Sequence, residues 1–152
     1  MENEETIDVL NTLITINNDR IEGYETAANE TKEQDLKAFF NELKQTSIYC
    51  NKELSAEMTK LGGTATEGTK TTGKFFRVWM DVKAALTGND RKTILNSCEY
   101  GEDVAKETYE EALKNDSEYL SDDQQTMIKA QHTLLVADHN KVKTMRDLAM
   151  AE

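Results

Sequence analysis

Four apolar stripes at helical spacing constrain this chain more than any other feature. Ile7, Leu10, Ile14, Ile21, Tyr24 and Ala28 form the first, and Leu36, Phe40, Leu43, Ser47, Cys50, Leu54 and Leu61 the second. Leu95, Cys98, Ala105, Tyr109 and Ala112 form the third, and Ile128, Leu135, Val142, Met145 and Ala149 the fourth. Steps of three and four residues place each set on one side of a helix. The first two stripes are nearly contiguous, as are the last two, but about thirty residues separate the pairs. Short, long, short connections predict an all-α fold, a ferritin-like four-helix bundle with one crossover.

The 152 residues fit a single domain over 1–152, long enough to bury a real core. Proline is absent and Glu, Lys, Ala and Leu abound, which suits helices. The first helix is expected over about 4–29. Thr31-Lys32-Glu33-Gln34 reads as a capping box that starts the second, and Gly62-Gly63 ends it. The Gly- and Thr-rich stretch 62–73 reads as a surface loop. An extra short helix is expected over 74–86, with Phe75, Phe76, Trp79, Val82 and Leu86 on one side packing onto the bundle. Asn89 or Asp90 caps the third helix, which runs to about Asn115. Ser121-Asp122-Asp123-Gln124 is a second capping box, opening a helix that continues nearly to the end.

Charge narrows the partners. With 29 acids against 18 bases the net charge is −11, and no basic stripe offsets it. Such a field repels polyanions, so neither nucleic acid nor an anionic membrane surface is an expected partner. No apolar run approaches the roughly 20 residues that span a bilayer. Met1-Glu2-Asn3-Glu4-Glu5 lacks a hydrophobic signal region, which points to the cytoplasm. Cys50 and Cys98 each lie at the centre of an apolar face. On parallel helices they are offset by about eight residues, roughly 12 Å of rise. That exceeds the ~7 Å a disulfide tolerates, so both are expected as buried thiols.

Chemistry should lie where polar residues interrupt the stripes, because a buried charge is costly unless paired or bound to metal. Asn17 falls near the centre of the first stripe, and Thr46 and Ser47 come level with it in the folded hairpin, a small hydrogen-bonded network. Glu102 lies one turn from Cys98, in line with Ala105 and Tyr109, and points inward; Glu99 sits at the edge of that face. Facing them are Gln131, Asp138 and His139, with His132 nearer the flank. Converging carboxylates and imidazole suit a divalent metal such as iron or zinc, or a satisfied structural cluster with a carboxylate–imidazole pair. The metal reading uses Glu102, His139, Asp138, Glu99 and Glu22.

A di-iron bundle normally takes one Glu from each of two helices and a Glu-x-x-His from each of the others. Here Glu42-Leu43-Lys44-Gln45 has Gln in place of His, and Val136-Ala137-Asp138-His139 has Val in place of Glu. Glu22 and Glu25 lie off the centre of the first stripe. A complete di-iron centre is therefore not expected, and any metal site is partial. No nucleophile–base arrangement is visible, and Gly62-Gly63 lacks the Lys-Ser/Thr of a phosphate loop.

Several segments together resemble a known group. Asn17-Asn18-Asp19-Arg20-Ile21-Glu22-Gly23-Tyr24 is similar to its opening motif, and Gly62-Gly63, Phe76-Arg77-Val78-Trp79 and Lys83 to its middle. Cys98-Glu99-Tyr100-Gly101-Glu102-Asp103, with Tyr109 and Ala112-Leu113, resembles its third helix. The group is an uncharacterised bacterial ferritin-like four-helix-bundle family, a domain of unknown function. The resemblance implies a ferritin-like fold and a cytoplasmic bacterial protein, and no established activity. The leading expectation is a non-enzymatic structural or interaction protein, stress-related and dimeric with a second copy of itself. Its alternative is a metal-binding or oxidoreductase bundle with a degenerate carboxylate/histidine site.

Overall fold

The computed structural model describes residues 3–65, 84 and 90–151. Four helices account for most of them: α1 (Glu4–Glu30), α2 (Gln34–Lys60), α3 (Arg91–Asn115) and α4 (Asp122–Ala151). A 3-10 turn at Ser117–Tyr119 joins the last two, and no strand occurs among the described residues. The extra helix expected over 74–86 lies outside the described residues except at Ala84.

Local chemistry explains the helix ends. Asp90 caps α3, accepting from the Lys92 amide at 3.2 Å and the Thr93 hydroxyl at 2.7 Å. At α4 the expected box forms reciprocally: Gln124 N–H donates to Ser121 Oγ at 3.1 Å, and Ser121 N–H to Gln124 Oε1 at 2.8 Å. The box expected at Thr31 does not form. Thr31 is spent as the cap of α1, and its hydroxyl accepts from the Glu33 amide at 3.3 Å, a turn that delays α2 until Gln34. At the end of α2, Gly62 adopts φ +77°, and its amide bonds Thr59 O while that of Gly63 bonds Met58 O. This is a Schellman stop, which needs a residue at ease in the left-handed region. Gly63 has a different reason to be glycine: a Cβ there would lie 2.7 Å from Met58 Sδ.

Side-chain partners fix the topology. Arg20 meets Glu102, Asn17 meets Tyr109 and Thr6 meets Tyr119, so α1 and α3 run antiparallel. Gln131 meets Cys50 and Lys141 meets Glu42, so α2 and α4 do too. Each helix therefore packs antiparallel to its neighbours, and α2 runs parallel to α3 across the diagonal. That is the direction the connection lengths require.

The stripes become two large apolar clusters, with Ile16 and Ala105 forming a small third one. At one end Tyr24, Ala28, Leu36, Phe40, Leu43, Ile94, Leu95, Cys98, Val142 and Ala149 pack together. Leu10, Leu13, Ile14, Leu54, Met58, Tyr109, Ile128 and Leu135 fill the other. Both cysteines are buried and free, as their offset implied. Full burial of such a side chain stabilises by about 2 kcal/mol, so the clusters supply the drive for folding. Between them lies a layer that is polar. No helix of the described residues is long and apolar enough to cross a membrane.

Candidate functional site

The middle layer is built from Asn17 and Arg20 on α1, Ser47 on α2, Glu102 on α3, and Gln131 and Asp138 on α4, all buried. Leu10, Leu13, Asn17, Arg20, Tyr24 and Ala27 step by three and four, so the helix that buries Leu and Tyr must carry Arg20 inward with them. Arg20 is fully inaccessible. Isolated, a buried guanidinium would be prohibitively costly.

It is not isolated. Arg20 Nε donates to Glu102 Oε1 at 3.0 Å, and Nη2 donates to Oε1 at 2.8 Å and Oε2 at 3.1 Å. Nη2 also reaches Asp138 Oδ2 at 3.2 Å, while Nη1 donates to Ser47 Oγ at 2.5 Å. One side chain thus bonds to all three other helices. The Tyr24 hydroxyl donates to Glu102 Oε1 at 2.5 Å, and its ring lies 5.4 Å from the Arg20 guanidinium carbon.

A second set of bonds continues the layer. Ser47 accepts from Arg20, so its own proton goes to Asn17 Oδ1, at 2.7 Å. That fixes the Asn17 amide, whose Nδ2 donates to Leu13 O at 2.9 Å and to the Tyr109 hydroxyl at 2.8 Å. Tyr109 donates to Gln131 Oε1 at 2.7 Å, and Gln131 Nε2 reaches Glu53 Oε1 at 3.1 Å and Cys50 O at 3.3 Å. Donor follows acceptor from Arg20 to Glu53, and this chain too touches all four helices.

Electrostatics follow from the burial. Burial by itself would lower Arg20, but Glu102, Tyr24 and Asp138 hold it above its ordinary value, so it stays charged. Burial lifts Glu102 above the ordinary carboxylate range, with Arg20 and Tyr24 pulling against it. One cation faces two acids. Lys141 approaches from the rim, its Nζ 4.0 Å from Asp138 Oδ1 and 2.9 Å from Glu42 Oε1. Burial also drives the phenols of Tyr24 and Tyr109 well above their usual range and pushes the Cys50 thiol up to about 11.

Residues 5–115 match Domain of unknown function (DUF2383). The chain belongs to the DUF2383 family. The match takes in α1, α2 and α3, and with them Asn17, Arg20, Tyr24, Ser47, Glu102 and Tyr109. Gln131 and Asp138 lie beyond it, on α4. No curated protein matches the chain.

The expected site residues divide into three places. Glu102 and Asp138 point inward and share Arg20. His139 and Glu99 lie on the α3–α4 seam, where His139 Nε2 is 2.6 Å from Asp103 Oδ1 and Arg146 pairs with Glu99. Glu22 is exposed, as is Glu25. The carboxylate–imidazole pair therefore involves Asp103 instead of Glu102. The reason is rotation: one residue turns a helix by about 100°, so Asp138 facing the centre puts His139 at the edge. His132 makes its own pair with Glu110 at 2.8 Å. On α2, Ser47 is the residue that reaches Asn17, and Thr46 is half-buried beside it. Sequence reasoning missed Arg20 as an inner residue, although its place in the three-and-four stepping from Leu13 to Ala27 was the available signal.

Two outcomes follow. Arg20→Met should lower stability by about 3–5 kcal/mol, because it leaves Glu102 and Asp138 buried without their cation. Arg20→Lys should not recover most of that loss, since a single ammonium cannot span three helices. Urea unfolding followed by circular dichroism measures both, and a loss below about 1 kcal/mol for Arg20→Met would contradict the assignment. The second concerns alkaline pH. Tyr24 and Tyr109 hold their protons more tightly folded than unfolded, so their contribution is complete below the ordinary phenol value of about 10 and is lost as pH rises beyond it. Spectrophotometric titration should show the exposed Tyr49 and Tyr119 ionising in the native protein, and Tyr24 and Tyr109 only on unfolding. Ionisation of Tyr24 and Tyr109 in a native bundle would refute this.

Proposed function

We propose that this chain is a non-enzymatic, ferritin-like bundle acting in the bacterial cytoplasm as a structural or interaction protein, with self-association as its mode. One observation carries the reading: the bundle centre, where a carboxylate bundle would hold its metals, is taken by the Arg20 guanidinium bound to Glu102 and Asp138. The ferritin-like element rests on the parallel α2 and α3, the direction a single long crossover imposes. A guanidinium is a permanent cation with no redox chemistry, and it engages both oxygens of Glu102. The carboxylates at the centre are thereby committed to helix register, a specificity role attested for some buried polar groups.

Aerobic Fe(II) oxidation by the unmodified chain tests this directly. The expected result is oxidation no faster than in buffer. Catalysed oxidation that Glu102→Gln abolishes would overturn the reading in favour of a redox bundle.

A further inference from the structure

The seam between α3 and α4 carries a second constellation, separate from the Arg20 layer. Glu99 and Asp103 are four residues apart, so they stack on one face of α3. His139 reaches them from α4. One potential ligand atom from each of the three lies within 4.8 Å of the other two, the one such trio among the described residues. All three are partly buried: side-chain exposure is 16% for Glu99, 40% for Asp103 and 15% for His139.

We propose that Glu99, Asp103 and His139 bind one divalent transition-metal ion, clamping α3 to α4. Three features support it. The donor set, one imidazole and two carboxylates, suits zinc or ferrous iron. Two like charges four residues apart on a helix repel, and Arg146 from α4 answers only one of them, at Glu99 Oε2. Finally, His139 Nδ1 faces Asn140 Oδ1 at 3.4 Å, and Nε2 faces Asp103 Oδ1 at 2.6 Å. In one tautomer Nε2 donates to the Asp103 carboxylate; in the other, with the ring proton on Nδ1 facing Asn140, Nε2 offers its lone pair to a metal ion that Asp103 shares. Glu99 makes that a three-ligand site.

Tetrahedral zinc sets its donor atoms about 3.4 Å apart. The His139–Asp103 contact therefore opens and Glu99 closes in, both by side-chain rotation. A fourth position is left for water. Arg146 fixes the orientation of Glu99 by pairing with its carboxylate, and it moderates affinity by its charge. Glu102 and Asp138 take no part, so the clamp is independent of the central layer.

Calorimetric titration of the untagged full-length protein with Zn2+, after EDTA dialysis, tests the site. The unmodified chain should bind one Zn2+. His139→Ala and Asp103→Asn should each weaken binding by about tenfold or more, the loss that follows even from removing a group that only hydrogen-bonds a ligand. His132→Ala is the control, because His132 has a carboxylate partner at Glu110 but is outside the trio, and it should bind as the unmodified chain does. Circular dichroism confirms that each variant is folded. Absence of stoichiometric uptake, equal affinity in His139→Ala, or loss in His132→Ala would each overturn the assignment.

Discussion

A single guanidinium at the middle of the bundle sets the terms for everything around it. Arg20 leaves α1 and bonds to Ser47 on α2, Glu102 on α3 and Asp138 on α4. Removing these charges from water is expensive, and their attraction alone does not guarantee a net gain. What they impose is geometry. Hydrophobic packing tolerates a helix sliding or rotating, because one Leu replaces another at modest cost. A bidentate arginine does not, since a slip by one residue turns Glu102 or Asp138 by about 100° and leaves a buried charge unpaired. The clusters on either side therefore supply the stability, and the layer selects the register. The Asn17–Tyr109–Gln131 chain repeats the arrangement with neutral groups, again crossing all four helices.

This layer also bears on function. A carboxylate bundle that works on oxygen or iron keeps its central acids for metal. Here the inner acids of α3 and α4 serve a fixed organic cation, and Tyr24 takes a further bond to Glu102. Asp103 and His139, each one residue along from those acids, lie instead on the seam with Glu99. Centre and seam are thus chemically distinct, and adjacent positions in the sequence serve each. Metal on the seam would brace one hairpin without placing a redox ion in the core.

Much of the architecture was legible in the sequence because periodicity is a local property. The stripes mark residues that are buried, Leu10, Phe40, Leu54, Leu95 and Ile128 among them. Asp90 and the Ser121–Gln124 box declare their helix ends through side chains that bond within three residues. The inward aim of Asn17, Ser47, Glu102, Gln131 and Asp138 was equally readable. Pairing was not. Whether Glu102 meets an imidazole or a guanidinium depends on a helix 82 positions away in the chain, and rotation there decides it. Arg20 escaped notice because arginine is rarely fully buried, so its type argued against the position its spacing required. Thr31 misled for the opposite reason: its type suited a cap, but the end of α1 had already claimed it.

The central claim is that Arg20 and Glu102 act as a coupled unit and not as two separately tolerated polar residues. A double-mutant cycle with Arg20→Met and Glu102→Leu, read by equilibrium unfolding in urea, measures that coupling directly. The account predicts that the double variant is much less destabilised than the two single losses combined, with a coupling above about 1 kcal/mol, as for residues in one buried network. Additive losses within about 0.5 kcal/mol would contradict it.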